Sequence, residues 1–387
     1  MQQPISITGM STISALGKDS TFIWAQYLSN KHSLTFHENE GFELFLGSLS
    51  EEIEVQLVEL RNSDIKYKRL DRSVLMAILT ARKAFSSVDW SHEFGVNFGS
   101  SRGATNLFEK YHSTFVTSSD GKVPTLTSPT TTLGNIASWV GHDLQAQGPT
   151  ISHSIACSTG LHSLLNGIAW LRSGMSSHFL VGASEAANTA FTVAQMQALK
   201  IHSKATVEEE YPCRALDFSK KSNTMVLGEG AAAFCLEMGE KSNALALIQG
   251  VGYATEPLQH NISISTDAYC FQRSMRMALA DAGITKVDAV VMHAPGTIKG
   301  DLSEYKALQK VFGEDLPLLT TNKWKIGHTF ATSGLLSMEL ALFMLQHQTF
   351  IPAPFFPQKS PEKKLTHVMV NAVGFGGNAV SIIISSK

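Results

Sequence analysis

The chain has 387 residues, enough for two or three domains or one large duplicated fold. Apolar residues make up 43% and charged residues only 17%, against roughly 25% in average proteins, which excludes disorder and points to a large buried interior. With 31 basic and 33 acidic side chains the formal charge is −2, so no global basic field exists to recruit nucleic acid.

Strand-like and helix-like patterns alternate along the chain, which predicts an α/β class. Ile5-Ser-Ile7 alternates and runs into Gly9. Leu70 to Phe85 reads as a helix with Leu70, Val74, Ala77, Ile78 and Ala81 on one stripe, and Val96-Asn-Phe98 as a strand before a Gly/Ser turn. Lys122 to Asn135, rich in Thr, Pro and Ser, with Gly121 before it and Gly134 near its end, reads as an ordered loop carrying function. Thr150 to Ile155 alternates as a strand and meets Ala156-Cys-Ser-Thr-Gly160. The helix that follows has Leu161, Leu164, Leu165, Ile168 and Leu171 at helical spacing, with Gly174 to close it, so Cys157 lies at a strand-to-helix turn. The second half repeats this logic. Ala244–Gly250 and Val287–Met292 read as strands, Asp267–Gly283 and Gly334–His347 as helices, and the chain ends in strands His367–Ala372 and Ala379–Ser385. A boundary near residue 240 divides the halves, 1–240 and 241–387.

Four cysteines form no disulfide framework and none has C-x-x-C spacing, so free thiols and no metal site are expected. Met1 to Leu16 carries no basic segment followed by an apolar run, and the apolar run Leu335–Leu345 contains Glu339 and is too short to span a bilayer. A cytoplasmic protein without a membrane span is expected.

A cysteine at a helix start is where a thiolate is stabilised by unpaired N–H groups and the positive helix end. Taken alone, an inert buried cysteine is the commoner fate, and Cys213, Cys235 and Cys270 lack even that context. His293 and His328 lie at further Gly-flanked junctions, with Gly296 and Gly327 nearby, and such junctions gather active-site residues in open α/β sheets. Two short matches compete. Gly99-Ser-Ser101-Arg-Gly103 fits a hydrolase nucleophile elbow, and Gly228-Glu-Gly230-Ala-Ala-Ala233 fits a loose dinucleotide fingerprint, but Ala231–Leu236 reads as a strand rather than a helix opening.

The motifs together resemble the β-ketoacyl-acyl carrier protein synthases, the elongating Cys-His-His condensing enzymes of the thiolase-fold superfamily. The resemblance runs through Ile7-Thr-Gly-Met10, Lys68-Arg-Leu-Asp71, Ala156-Cys-Ser-Thr-Gly160, Asp217-Phe218 and Leu227-Gly-Glu-Gly230. It continues through His293, Gly296-Thr297, Asp301, Glu304, Lys323, Gly327-His328, Ser333-Gly334 and Gly374-Phe-Gly-Gly377. It implies a five-layered α-β-α-β-α core of two similar halves. A homodimer is implied too, with a heterodimer of related ketosynthase chains as the alternative.

The resemblance also implies roles. Cys157 is the nucleophile that takes the acyl group from an acyl carrier protein, and splitting one difficult bond formation into two steps is the gain of covalent catalysis. The backbone N–H groups of Cys157 and Phe375 form the oxyanion hole. His293 and His328, neutral and protonated on the facing nitrogen, stabilise the enolate left when malonyl-carrier protein loses carbon dioxide. Lys323, paired with Glu304, supplies orientation and field. Phe375 gates the thiol, and Thr297 contacts the phosphopantetheine arm, so no cofactor of the protein's own is expected. Lys66, Lys68 and Arg69 dock the acidic carrier protein. Leu107, Phe108 and the Lys122–Asn135 loop line the acyl tunnel.

One departure stands out: the family reads His-Gly-Thr-Gly/Ser-Thr where this chain has His293-Ala-Pro-Gly-Thr297. Pro295 removes a hydroxyl and an N–H from the pantetheine-reading stretch, which points toward a specialised pathway such as polyene or aryl-polyene pigment synthesis. The alternative is a catalytically silent partner subunit that sets the chain length of another synthase. A degradative thiolase would need a cysteine after Cys270, and an initiating synthase an Asn at His328; neither fits.

Overall fold

The computed structural model describes residues 3–39, 42–133, 135–257, 264–356, 358 and 363–387. Gly134, named above as part of a functional loop, lies outside them. Its strands in chain order are β1 (Ile5–Ile13), β2 (Thr35–Asn39), β3 (Phe42–Gly47), β4 (Gly95–Gly99), β5 (Thr150–Ile151), β6 (His178–Glu185) and β7 (Leu227–Gly228). They continue as β8 (Gly230–Met238), β9 (Ala246–Thr255), β10 (Ala289–Val291), β11 (Leu318–Thr320), β12 (His367–Gly374) and β13 (Asn378–Ser385).

Two five-stranded sheets run in the orders β5-β4-β6-β8-β1 and β11-β10-β12-β13-β9. Their pairings correspond strand for strand. In chain order the first strand of each sheet (β1, β9) is antiparallel to the last (β8, β13), the last is antiparallel to the fourth (β6, β12), and the fourth runs parallel with the second and third. A small third sheet, β2-β3-β7, lies beside them. The helix Arg72–Phe85 packs on the first sheet and Tyr269–Ala282 on the second. Between the sheets lie Thr159–Arg172 and Ser333–His347, each touching both, which completes the α-β-α-β-α layering.

The two central helices show why a pattern of apolar residues predicts depth. The outer helix Arg72–Phe85 has an apolar face and ends in Arg82 and Lys83, whereas Ser333–His347 is buried on every side from Ser333 to Leu345. The sequence-derived elements agree with the structure to within a few residues, with two exceptions. Thr150–Ile155 is a strand only over Thr150–Ile151, because His153 turns its ring to Asn97 Oδ1 (3.0 Å) and the Thr159 carbonyl (3.1 Å) and draws the chain off the sheet. The Lys122–Asn135 stretch contains a short helix, Thr127–Thr131.

The central helices start against each other. A Cβ on Gly160 would lie 2.6 Å from the Ala331 carbonyl oxygen, and one on Gly334 would lie 2.6 Å from Leu161 Cγ. Each helix thus needs a glycine in its first turn so that the other can approach. That crossing brings Cys157, just ahead of the first helix, next to the segment holding His328, just ahead of the second.

Candidate active site

Cys157 sits in a tight turn before its helix. Ala156 is held at φ +46°, and the turn is closed by Ser158 N–H to the Ile155 carbonyl (3.2 Å) and Thr159 Oγ1 to the Ala156 carbonyl (2.6 Å). The Gly374–Gly377 turn between β12 and β13 presses on it, since a Cβ on Gly374 would lie 2.5 Å from the Ile155 carbonyl oxygen. Phe375, in that turn, is 43% exposed. The thiol is buried in an apolar cluster with Leu44, Val193, Met196 and Phe330.

Burial pushes the Cys157 thiol up to about 12, with Glu185 adding to the rise, and the opposing charges of Lys323 and Arg102 do not compensate. Burial thus favours the protonated thiol.

His328 follows the short helix Lys323–Ile326 and Gly327, whose φ is +75°. Its backbone is locked by His328 N–H to the Val226 carbonyl (2.7 Å) and Gly228 N–H to the His328 carbonyl (3.0 Å). Its Nδ1 accepts the Phe330 N–H at 3.0 Å, which leaves the proton of the neutral ring on Nε2. Burial, followed by Lys323, holds the ring down at about 3. His293 lies two residues beyond β10 and meets His328 edge to face, with ring centroids 5.3 Å apart. Burial, then His328 and Lys323, holds it well below the usual histidine range, and its Nδ1 is buried without a partner among the described residues. Both imidazoles are neutral at pH 7.

Lys323 is buried, and burial lowers its ammonium to about 8 against the pull of Glu304, Cys213 and Cys157. The expected Lys323–Glu304 ion pair is a correction. The two groups feel each other's charge but do not come within ion-pair distance. Glu304 instead accepts the His293 N–H (3.0 Å), the Ala294 N–H (2.9 Å) and Asn371 Nδ2 (3.1 Å). It therefore fixes the backbone of the His293 loop, where Ala294 takes φ +23°. Burial pushes its carboxyl up to about 7. The lysine that does pair in this region is Lys220, 2.6 Å from Asp301, whose other oxygen accepts the Gly296 N–H.

The remaining expectations divide. Thr297 caps the helix Ile298–Phe312, accepting the Gly300 N–H at 3.2 Å. Leu107 is half-buried with its N–H on Asp71, but Phe108 is 61% exposed and stacks on His112. Phe108 lines no interior space in the single chain, because the helix Thr105–Thr117 buries none of its side chains. Lys66, Lys68 and Arg69 are exposed. Lys66 lies over the Tyr67 ring and 3.5 Å from Asp64, while Lys68 and Arg69 have no ion-pair partner among the described residues. Both decoy motifs are structural: Ser101 Oγ donates to Glu185, and Glu229 binds Arg72.

Glu185 escaped the sequence reading. This buried carboxylate at the end of β6 accepts Ser100 Oγ, the N–H groups of Ser101 and Arg102, and the Ala331 N–H. It thereby ties the β4 turn to the segment following His328. Its one sequence signal is an acid ending an apolar strand. Among the described residues no group of three or more His, Cys, Asp or Glu is placed to hold a metal ion, and no helix is long and apolar enough to cross a membrane.

Residues 2–242 match the family model of the β-ketoacyl synthase N-terminal domain and residues 245–356 that of the C-terminal domain. The chain is 26% identical over 411 residues to 3-oxoacyl-[acyl-carrier-protein] synthase 2 of Coxiella burnetii, covering 98% of both. A β-ketoacyl synthase from Burkholderia phymatum superposes over the whole of both chains with TM-score 0.87 at 23% identity. A ketosynthase in complex with its chain length factor from Xenorhabdus doucetiae does so with TM-score 0.82 at 19% identity, over 100% of this chain and 98% of that one. The fold expectation is borne out by these likenesses. The chain belongs to the β-ketoacyl synthase family, the condensing acyltransferases of thiolase-like fold that serve fatty acid and polyketide biosynthesis.

Proposed function

We propose that the chain elongates an acyl group held on Cys157 with malonyl-acyl carrier protein. The thiol attacks an acyl thioester, its proton passing to the departing pantetheine thiolate. The oxyanion is received by the backbone N–H groups of Cys157 and Phe375. Malonyl-carrier protein then loses carbon dioxide, and the electron pair moves onto the thioester oxygen as an enolate. That oxygen is met by N–H donors from His293 and His328. The enolate carbon attacks the acyl-Cys157 carbonyl, the carbon–sulfur bond breaks, 3-oxoacyl-carrier protein leaves, and the released Cys157 thiolate takes a proton from solvent to restore the thiol.

The observation that carries this reading is the pair of neutral imidazoles, edge to face at 5.3 Å, with the His328 tautomer fixed by the Phe330 N–H. A cationic pair would repel itself, whereas a neutral preorganised pair stabilises charge only as it develops. Lys323 supplies a positive field at the thiol and both rings, and Glu304 positions the His293 loop. Phe375 is the gate, its partial exposure giving it room to swing, and Thr297 faces the pantetheine arm. Lys66, Lys68 and Arg69 dock the carrier. The four buried free thiols suit a reducing cytoplasm.

The specialised polyene or aryl-polyene setting is supported by Ala294-Pro295. Pairing with a second copy, or with a related chain as in the Xenorhabdus complex, completes the proposal. That complex, together with the strongly raised thiol, also favours a second reading, a silent length-setting subunit. Intact-protein mass after incubation with a panel of acyl-carrier proteins separates the two. An adduct on the wild type and none on Cys157→Ala supports condensation; a folded wild type that captures no acyl group supports the silent subunit.

A further inference from the structure

The cations around the site are accounted for by the protein itself, with one exception. Arg72 is taken by Glu54 and Glu229, and Lys220 by Asp301. Lys325 donates to the carbonyls of Gln26, Ser29 and Lys31, and Lys323 is enclosed among Glu304, Cys213 and Cys157. Arg102 differs. Its backbone N–H is held by Glu185 at 3.2 Å, but its guanidinium, half-buried, has no ion pair or side-chain hydrogen bond among the described residues. It lies over the Phe330 ring, 5.2 Å from the centroid, and its charge reaches the Cys157 thiol.

Phe330 makes this placement firm. The ring is buried beside Cys157 and packed against His328 at 5.3 Å. Its backbone stands at φ +43°, a conformation a bulky residue rarely takes and that the surroundings must enforce. The Phe330 N–H on His328 Nδ1 and the Ala331 N–H on Glu185 enforce it. The thiol thus has an apolar wall on one side, and across that wall a planar cation whose N–H donors are unused. The half-buried guanidinium leaves its N–H donors open to a ligand, and it matches a carboxylate in bidentate geometry better than any other common group. A saturated alkyl chain laid along Phe330 would cover those donors without offering an acceptor.

We propose that Arg102 is a specificity-determining residue that receives the terminal carboxylate of a short dicarboxylic acyl group carried on Cys157, with the Phe330 ring as the floor beneath the chain. The inference rests on the condensing-enzyme reading and narrows its substrate class.

The test compares acylation of Cys157 by glutaryl- and pentanoyl-carrier protein, followed by intact mass. The two acyl groups match in length and differ in the terminal carboxylate. Wild type should favour glutaryl at least tenfold. Arg102→Met should bring the ratio near one or invert it, and Arg102→Lys, which keeps the charge without the planar fork, should retain part of it. The Glu185 contact uses backbone and survives both substitutions. Equal rates in the wild type, or a ratio that Arg102→Met leaves unchanged, would overturn the assignment while condensation stands. An Arg102→Met variant that keeps its selectivity and loses self-association would give the cation to a subunit interface and likewise overturn it. No adduct from either donor, or from a wider acyl panel, would remove the condensing reading and this inference together.

Discussion

The two halves of the molecule share one strand order and one pairing scheme, yet they place different side chains at equivalent junctions. In the first half the junction before the central helix carries Cys157; in the second the equivalent junction carries His328. The turn after the second strand of the parallel trio carries Ser100 to Arg102 in one and His293 in the other. Each half also has a buried carboxylate that organises its junctions, Glu185 at the end of β6 and Glu304 in the helix Ile298–Phe312. Each half holds backbone in the left-handed region beside its reactive residues, at Ala156 in one and at Ala294 and Phe330 in the other. A fold repeated twice therefore supplies equivalent positions, and side-chain identity at those positions decides the reaction.

Removing one imidazole tests that division most severely. His328→Ala should slow malonyl decarboxylation about a hundred- to a thousand-fold, the usual loss of one preorganised donor, while Cys157 still captures acyl groups. Carbon dioxide release and intact mass measure the two separately, and a joint loss would show that the halves do not divide the work.

The organising carboxylates come next. Glu304→Ala leaves the His293 and Ala294 N–H groups buried without an acceptor and Asn371 Nδ2 with only the weak acceptor Met275 Sδ. It should cost about 3 kcal/mol of unfolding free energy, with Glu304→Gln milder because one acceptor oxygen remains. Glu185→Ala should match it in the first half. Urea titration checks both, and a cost confined to one variant would break the symmetry argued above.

A smaller effect separates the two central helices. Thr159–Arg172 buries no acid, whereas Ser333–His347 buries Glu339 against Thr12 and Tyr27. Burial pushes this carboxyl up to about 7 from an unfolded value near 4.5. The folded state therefore holds the proton more tightly. Its contribution is complete below pH 4.5 and is lost as pH rises through 7, about 3 kcal/mol in all. Urea midpoints at pH 5 and pH 8 should show that loss in the wild type and a flatter profile in Glu339→Gln.

The weakest test asks whether the carrier reads the surface of the first half. Reversing Lys68 and Arg69 should raise KM for carrier-bound acyl groups a few-fold at low salt and leave it unchanged at high salt, because exposed charges steer encounter and are screened. An unchanged KM at low salt would move docking elsewhere.

Sequence reading reached the elements because apolar periodicity is local: Leu161, Leu164, Ile168 and Leu171 predict a helix before any neighbour is known, and all four are buried. It reached Cys157, His293 and His328 because residue type and spacing survive as motifs. It missed the partners. Glu304 was assigned to Lys323 on resemblance, but the carboxylate binds backbone N–H groups that no side-chain pattern records. Lys220 and Glu185 meet their partners 81 and 84 residues away in the chain, where no periodicity reports them.

The sequence by itself determined which residues the proposed chemistry rests on, since a thiol and two imidazoles at glycine-flanked junctions are properties of the chain. Only the tertiary structure decided their state. Burial is the largest cause in each case: it favours the protonated thiol and the uncharged imidazoles, and it lowers Lys323 to about 8. That burial exists because Gly160 and Gly334 let two helix ends from different halves meet, and desolvation depends on everything that surrounds a group rather than on the residues beside it in the chain.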